Sequence, residues 1–468
     1  MTDAGASLAL DLAAAAIPSV LRAGGQRGGR SATVRYAWHD TLDGVLAAGR
    51  RVLVHWRAAG CTGWRIDPLD PSADPALSVA TLPRIGQEVP ANLHAFAHFS
   101  GRRRAFAVGP VRCILLDGNL STSTSSQPLH RLILTGPAAE VASLALALPA
   151  VRPAAHSVAE LARRLADRAD PFLPAPLPRL GPEQTLNEAI ALILQHFALL
   201  LQASVPAAAA GQGVEPVHQM RVALRRLRSA LRLVRRAAPG LGVHTTALRQ
   251  LGQTLGPARD WDVFLAGLGP AAAAALPDAK KLAPLLAAAR RRRADAYVAL
   301  RGEFADDAFR RLIMALTCAA VAHPWAEAVA ADHDALDAGL DRFATHALAR
   351  QWRRLLAPGG DLAGLPELRL HAIRLETKRM RYAAELLAPL FPGRDAERLI
   401  TRLRLLQDQL GHLNDGAVAA TLMAELGPAG RGFAGGAVRG LVAGRGDGLR
   451  SGIAGAWRKL RKTSPFWA

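Results

Sequence analysis

His218-Gln-Met-Arg221-Val-Ala-Leu-Arg225-Arg226-Leu-Arg228 returns 153 residues later as His371-Ala-Ile-Arg374-Leu-Glu-Thr-Lys378-Arg379-Met-Arg381, and both runs fit H-x-x-R-x-x-x-[RK]-R-x-R. A second pair follows in the same order. Leu251-Gly-Gln-Thr-Leu255-Gly256-Pro-Ala-Arg259-Asp260 and Leu406-Gln-Asp-Gln-Leu410-Gly411-His-Leu-Asn414-Asp415 share L-G-x-x-[RN]-D at a shift of 155. Two motifs in one order at nearly one offset mark an internal duplication. On a helix turning about 100° per residue, His218, Arg221, Arg225 and Arg228 share roughly a quarter of the circumference. Arg232 and Arg235 extend that row, and His371, Arg374, Lys378 and Arg381 repeat it. Leu224, Leu227, Leu231 and Val234 form the adjoining apolar face. Each helix therefore anchors by one side and presents a cationic stripe along the other.

Like charges stacked at this spacing cost a few tenths of a kcal/mol per pair unless an anion relieves them. One such helix reads as a solvated face, whereas two with the same grammar read as a binding surface. Planar guanidinium donors engage two oxygens of a phosphate at once, and a row of them matches a linear phosphate chain better than a small ligand. His218 and His371 read as phosphate donors, a proton relay or bundle residues. With one His per helix beside Arg they do not read as metal ligands. Asp260 and Asp415 read as helix caps or arginine partners. The run Arg290-Arg-Arg-Arg293 reads as a solvated face or a widening of the anion track.

Outward from the repeat, long Ala/Leu/Arg segments at helical spacing begin at Thr185. Breaks near 207–216, 239–242, Pro257, 270, 277, 323–324, 358–366, 389–392 and 427–432 leave room for eight or more helices, with 430–448 as a loop or frayed helix. Before residue 157 the period changes. Short apolar or alternating runs at 33–38, 51–56, 111–116 and 129–134 read as strands, and the Ser/Thr-rich stretch 119–128 as a surface loop. The Pro-rich stretch 170–179 joins the two regions. The expected organisation is α+β in two domains: a mostly antiparallel β-rich domain over 1–168, a linker over 169–180, and an all-helical domain over 181–468 with halves of about 181–325 and 326–468.

The 468 residues carry a formal charge of +20, so the surface attracts something anionic: nucleic acid, an acidic membrane surface or a phosphate polymer. Only five of the 58 basic residues are lysines. Beside abundant Ala and Gly this reads as a genome-wide composition bias, so arrangement decides more than bulk charge. Three distant cysteines, Cys61, Cys113 and Cys318, indicate neither a disulfide framework nor a zinc site, and they fit a reducing cytoplasm. No apolar run is expected to reach the length of a bilayer span. No metal or cofactor motif, nucleophile–base pair or Gly-rich phosphate loop is present.

The paired motifs resemble the CHAD domain, the conserved histidine α-helical domain, over about residue 181 to the C-terminus. The resemblance implies two pseudo-symmetric helical bundles, binding of inorganic polyphosphate along a basic central groove, and association with polyphosphate granules. Carried over by motif, the binding residues are His218, Arg221, Arg225, Arg226, Arg228, His371, Arg374, Lys378, Arg379 and Arg381.

In the N-terminal region, Trp38-His39-Asp40-Thr41 resembles the Y-x-D-T element of the CYTH domain, a triphosphate-tunnel barrel. Leu132-Ile-Leu-Thr-Gly136 followed by Ser157-Val-Ala-Glu160 is similar to its last strand and helix. The family's E-x-E-x-K strand would fall on Ser7-Leu-Ala9-Leu-Asp11, where both glutamates and the lysine are missing, and its later E-x-E would fall near His130 and Leu132. Metal-assisted phosphoryl transfer needs carboxylates, so the expectation is a degenerate CYTH-like barrel with no enzymatic activity. Arg51, Arg57 and residues 102–104 remain candidates to hold an anion. The competing readings are an inorganic triphosphatase and a non-specific nucleic-acid binder. The latter lacks a groove-reading motif and has few aromatics interleaved with the basic rows.

Overall fold

A computed structural model describes residues 5–23, 30–58, 60–69, 90, 92–168, 176–211, 213–328, 339–360, 362, 364–444 and 449–467, apart from the side chains of 30 and 413–415. The chain divides into two compact units. The first comprises Met1–Pro174, Ala198–Ala203 and Arg310–His323, and the second Ala175–Phe197, Ser204–Phe309 and Pro324–Ala468. Residues 169–175, most of the expected linker, lie outside the described residues.

The first unit is built on eight antiparallel strands: β1 (Ala6–Leu12), β2 (Arg30–Asp40), β3 (Arg51–Ala58), β4 (Cys61–Pro68), β5 (His94–Val108), β6 (Val111–Ser121), β7 (Ser126–Gly136) and β8 (Val151–Pro153). They form one sheet in the order β4-β3-β2-β5-β6-β7-β1-β8. The ladder is open among the described residues, with β4 and the three-residue β8 at its ends, so the closed barrel implied by the CYTH resemblance is not formed there. Alternation explains the strands. Val34, Tyr36 and Trp38 of β2, Val52 and Val54 of β3 and Phe99 of β5 point to a core shared with helix α2 (Val158–Leu165). A second core joins Leu8, Leu10, Leu132 and Leu134 to helix α1 (Ala138–Ala147) and to Met314 and Cys318.

Residues 119–128, expected as a loop, are mostly paired strand. Asn119 faces Pro128 and Ser121 faces Ser126. Only a four-residue turn remains, held by the Thr122 hydroxyl, which accepts from the amides of Thr124 and Ser125. Local Ser/Thr chemistry shaped the turn while cross-strand pairing took its flanks.

Asp40 of the Trp38–Thr41 element is buried. Its carboxylate accepts from the amides of Thr41 (2.8 Å), Leu46 (2.9 Å) and Ala47 (3.0 Å), which caps the short helix Val45–Ala48. Removing a cap of this kind typically costs about 0.5–2 kcal/mol. Asp40→Ala is therefore expected to lower the urea midpoint of the β-sheet signal by a loss near the upper end of that range. A change within error would show that water replaces the carboxylate.

The second unit is helical. Counting helices of eight residues or more among the described residues, the chain continues with α3 (Leu186–Ala210), α4 (Glu215–Val234), α5 (Thr245–Val263), α6 (Ala283–Ala305), α7 (Asp307–Ala322), α8 (Leu340–Leu356), α9 (Glu367–Leu387), α10 (Asp395–Glu425), α11 (Phe433–Gly444) and α12 (Leu449–Arg461), of which α7 from Arg310 onward and Ala198–Ala203 of α3 belong to the first unit. Thr185 and Glu188 close a capping box at the start of α3. Contrary to expectation, α3 is long and apolar enough to cross a membrane by length and composition. Its Leu186, Ala189, Ile190, Ile193, Leu194, Phe197 and Leu201 are buried at helical spacing, the pattern of a core helix. Pro257 does not break α5. The buried Leu255, Ala258 and Trp261 around it show packing overriding a local penalty of about 3 kcal/mol. Within 430–448, Phe433–Gly444 is helix rather than loop.

Candidate anion-binding site

The two repeated runs lie on α4 and α9, and their cationic rows meet. Lys378 is the clearest marker. Burial pushes its ammonium down to about 8, assisted by Arg374, Arg225, Arg381 and Arg221, two guanidinium groups from each helix. No carboxylate contributes to that set. Burial also disfavours the charge on Arg221, where Asp260 opposes the effect and Arg225 and Arg259 reinforce it. Arg221 Nε is buried without a hydrogen-bond partner. His218 is half-buried at the same end, and burial with Arg259, Arg225 and Arg221 holds its imidazole below the ordinary range against the pull of Glu215.

The second motif of each pair has a packing reason. On α5, a Cβ added at Gly256 would stand 3.3 Å from Arg221 Nη1, and one at Gly252 would stand 3.5 Å from Arg228 Nη1. The glycines leave room for two long basic side chains to lie against the helix. In the duplicate, Gln407 of α10 occupies the position of Gly252, and its amide oxygen accepts from Arg381 Nε at 2.9 Å. The same helix pair is thus solved once with space and once with an acceptor. Asp260 lies inside α5 rather than at a cap, facing Arg221 and Arg259, with burial raising its carboxyl. The side chains of Asn414 and Asp415 lie outside the described residues.

Not every motif residue is available to a ligand. Glu385, buried on α9, gathers Arg381 (2.7 Å), Arg404 (3.0 Å) and Arg226 (3.6 Å), bringing α4, α9 and α10 to one carboxylate. Arg381 also lies 4.6 Å from the Tyr382 ring, and the Tyr382 hydroxyl accepts from Arg225 Nε at 3.2 Å. Arg379 pairs with Glu376. His371 is exposed and is not drawn into the cluster around Lys378. The structure therefore brings together His218, Arg221, Arg225, Arg374, Lys378 and Arg381, with Arg226 and Arg381 serving as struts. In the run at 290–293, two of the four arginines are engaged elsewhere. Arg293 is paired with the buried Asp262 at 2.7 Å, and Arg292 donates to the Glu425 carbonyl at 2.7 Å.

From Arg228 the α4 row runs into a cavity of about 390 Å³. Its lining includes Arg228, Arg232, Arg235, Arg236 and Arg249, with Arg350 and Arg354 from α8 and Arg379 from α9, and no acidic residue. Burial disfavours the charge on Arg228, Arg232 and Arg350, and neighbouring guanidinium groups add to it. The contributions of α5 and α8 escaped sequence reasoning. The signal was the basic run at 350–354, which has no counterpart in the repeat. Among the described residues no group of three or more His, Cys, Asp or Glu side chains comes together as a metal site.

The profile of the CHAD domain family matches residues 191–424, half of the chain. The crystal structure of the CHAD domain from the plant Ricinus communis is similar at 28% identity and a TM-score of 0.52, covering 61% of this chain and 97% of that one. PptA from Streptomyces chartreusis is similar at 16% identity and a TM-score of 0.43, covering 60% of this chain and 99% of that one. No curated protein matches the chain.

Proposed function

This chain belongs to the CHAD domain family, and on that premise we propose that it is a polyphosphate-binding module, not an enzyme, that holds the polymer along α4 and in the arginine-lined cavity. The observation that carries the reading is the Lys378 cluster: five cationic groups from two duplicated helices, gathered around an ammonium that no acid offsets. Like charges crowded around a desolvated ammonium are costly in the free protein, and a polyanion removes that cost. Arg221, Arg225, Arg228, Arg232 and Arg235 follow one face of α4. At about 1.5 Å per residue they form a track of roughly 20 Å, a match for a linear chain of phosphates. The reading extends to a cytoplasmic, granule-associated protein.

The deciding experiment is a titration with long-chain polyphosphate at physiological salt, with duplex DNA at equal phosphate concentration as competitor. A polyphosphate-tuned track keeps its ligand. Displacement by DNA would reduce the surface to a general cationic face, because counterion release favours any polyanion.

Lys378 gives the proposal a pH signature. Its ammonium loses a proton near pH 8 in the free protein, and a bound polyanion favours the charged form. Binding above that pH therefore takes up a proton, and affinity falls as pH rises, by up to about tenfold per unit for one linked proton. Lys378→Arg is expected to flatten the profile between pH 7.5 and 9.5 in calorimetric titrations. An unchanged slope would place Lys378 off the track.

Gly256→Ala tests the packing. Alanine is favoured over glycine inside a helix by about 1 kcal/mol, so thermal stability should hold or rise while Arg221, displaced from its seat, weakens polyphosphate binding several-fold. Unaltered affinity would show that the Arg221 head group is not a ligand contact.

A further inference from the structure

We propose a second anion-binding site in the first unit, on the open face of β2, β3 and β5, that takes a small phosphorylated ligand through Arg35 and Arg57. The two arginines stand directly opposite each other in the β2–β3 ladder. Ser100 faces Arg35 from β5, and in the adjoining row Ala37 lies between His55 and His98. Small side chains in the middle and long cationic ones around them leave a concavity of about 420 Å³. Its rim holds two guanidinium groups and two imidazoles, and no carboxylate lines it.

Like charges directly opposite on neighbouring strands destabilise a sheet, and here neither arginine has an acidic partner among the described residues. On the same face of the neighbouring strand β6, the carboxylate of Asp117 is taken by His130 at 2.9 Å. The site is also held rigid. The reverse face of these strands is the buried core of Val34, Tyr36, Val54 and Phe99. His55 stacks on Trp64 with ring centroids 4.5 Å apart. The Thr62 hydroxyl donates to the Trp56 carbonyl, so it accepts from His55 Nε2 at 2.8 Å. That bond fixes the tautomer and leaves Nδ1 as the atom that becomes a donor when the ring is protonated. Two guanidinium forks a strand spacing apart fit the oxygens of one phosphoryl group or of two linked ones.

The test uses the full chain with ¹³C-labelled histidine and inorganic pyrophosphate as the probe. His55→Gln and His98→Gln assign the two imidazole signals. Saturable movement of both signals is expected, with at least a tenfold weaker apparent affinity in Arg35→Gln/Arg57→Gln. Both arginines are exposed, so that pair is not expected to disturb folding. Arg221→Ala/Arg225→Ala, which weakens the track on α4, is expected to leave the His55 and His98 titration unchanged. Static histidine signals, or movement that ignores the Arg35/Arg57 pair or follows the Arg221/Arg225 pair, would overturn the site.

Discussion

Replacing Arg221, Arg225, Arg374 and Lys378 together by alanine is expected to weaken polyphosphate binding at least a hundredfold without loss of helical structure. A hydrogen bond to a charged group contributes roughly 1.5–3 kcal/mol, and four such donors are removed. About 1.4 kcal/mol corresponds to one factor of ten, so a hundredfold is a conservative floor. The folded state loses little, because these groups burden one another: burial disfavours the charge on Arg221 and Lys378, and their neighbours add repulsion. The same variant is therefore expected to melt at or above the parent temperature in calorimetry without ligand. Retained affinity in the quadruple variant would relocate the track. A large drop in melting temperature would show that these residues hold the bundle together.

The second large effect is the opposite in kind. Glu385→Ala is expected to destabilise the helical unit by about 3–5 kcal/mol, the usual result of leaving buried partner charges uncompensated. Arg381, Arg226 and Arg404 would lose their common carboxylate. Glu385→Gln keeps the shape and part of the hydrogen bonding and should cost less. Urea unfolding followed by helical circular dichroism reads both. Equal and small losses would mean that the three arginines turn out to water and that Glu385 is dispensable.

The duplication, the helices and the two cationic rows were legible because each leaves a periodic trace along the chain. Which arginines are struts was not, because that depends on where a long side chain ends. Arg226 and Arg225 are neighbours in sequence, yet one reaches Glu385 on α9 and the other borders Lys378. The acid in question sits beyond the motif. The cavity was hidden for a related reason: Arg350 and Arg354 arrive from a helix whose sequence carries no repeat, and Arg249 from α5 just ahead of the repeated motif. Of the missed features of the first unit, the hairpin at 119–128 arises from pairing between consecutive strands across a Ser/Thr-rich turn, and the open ladder from pairing between distant ones. The membrane-like apolarity of α3 and the apparent break at Pro257 share one cause, since burial in a helical core tolerates compositions that local rules read otherwise.

Arg232 of α4 and Glu385 of α9 stand at the same position of the duplicated run, 153 residues apart. One copy continues its positive row into a cavity, while the other ends it on a carboxylate that binds three guanidinium groups. Gene duplication here left two descendants with divided labour, one exposing charge and one absorbing it. The copies are therefore no longer exchangeable. Transplanting the α4 run onto α9 would insert a fourth cation among Arg226, Arg381 and Arg404, so any common ancestor with identical halves must have solved its interior differently.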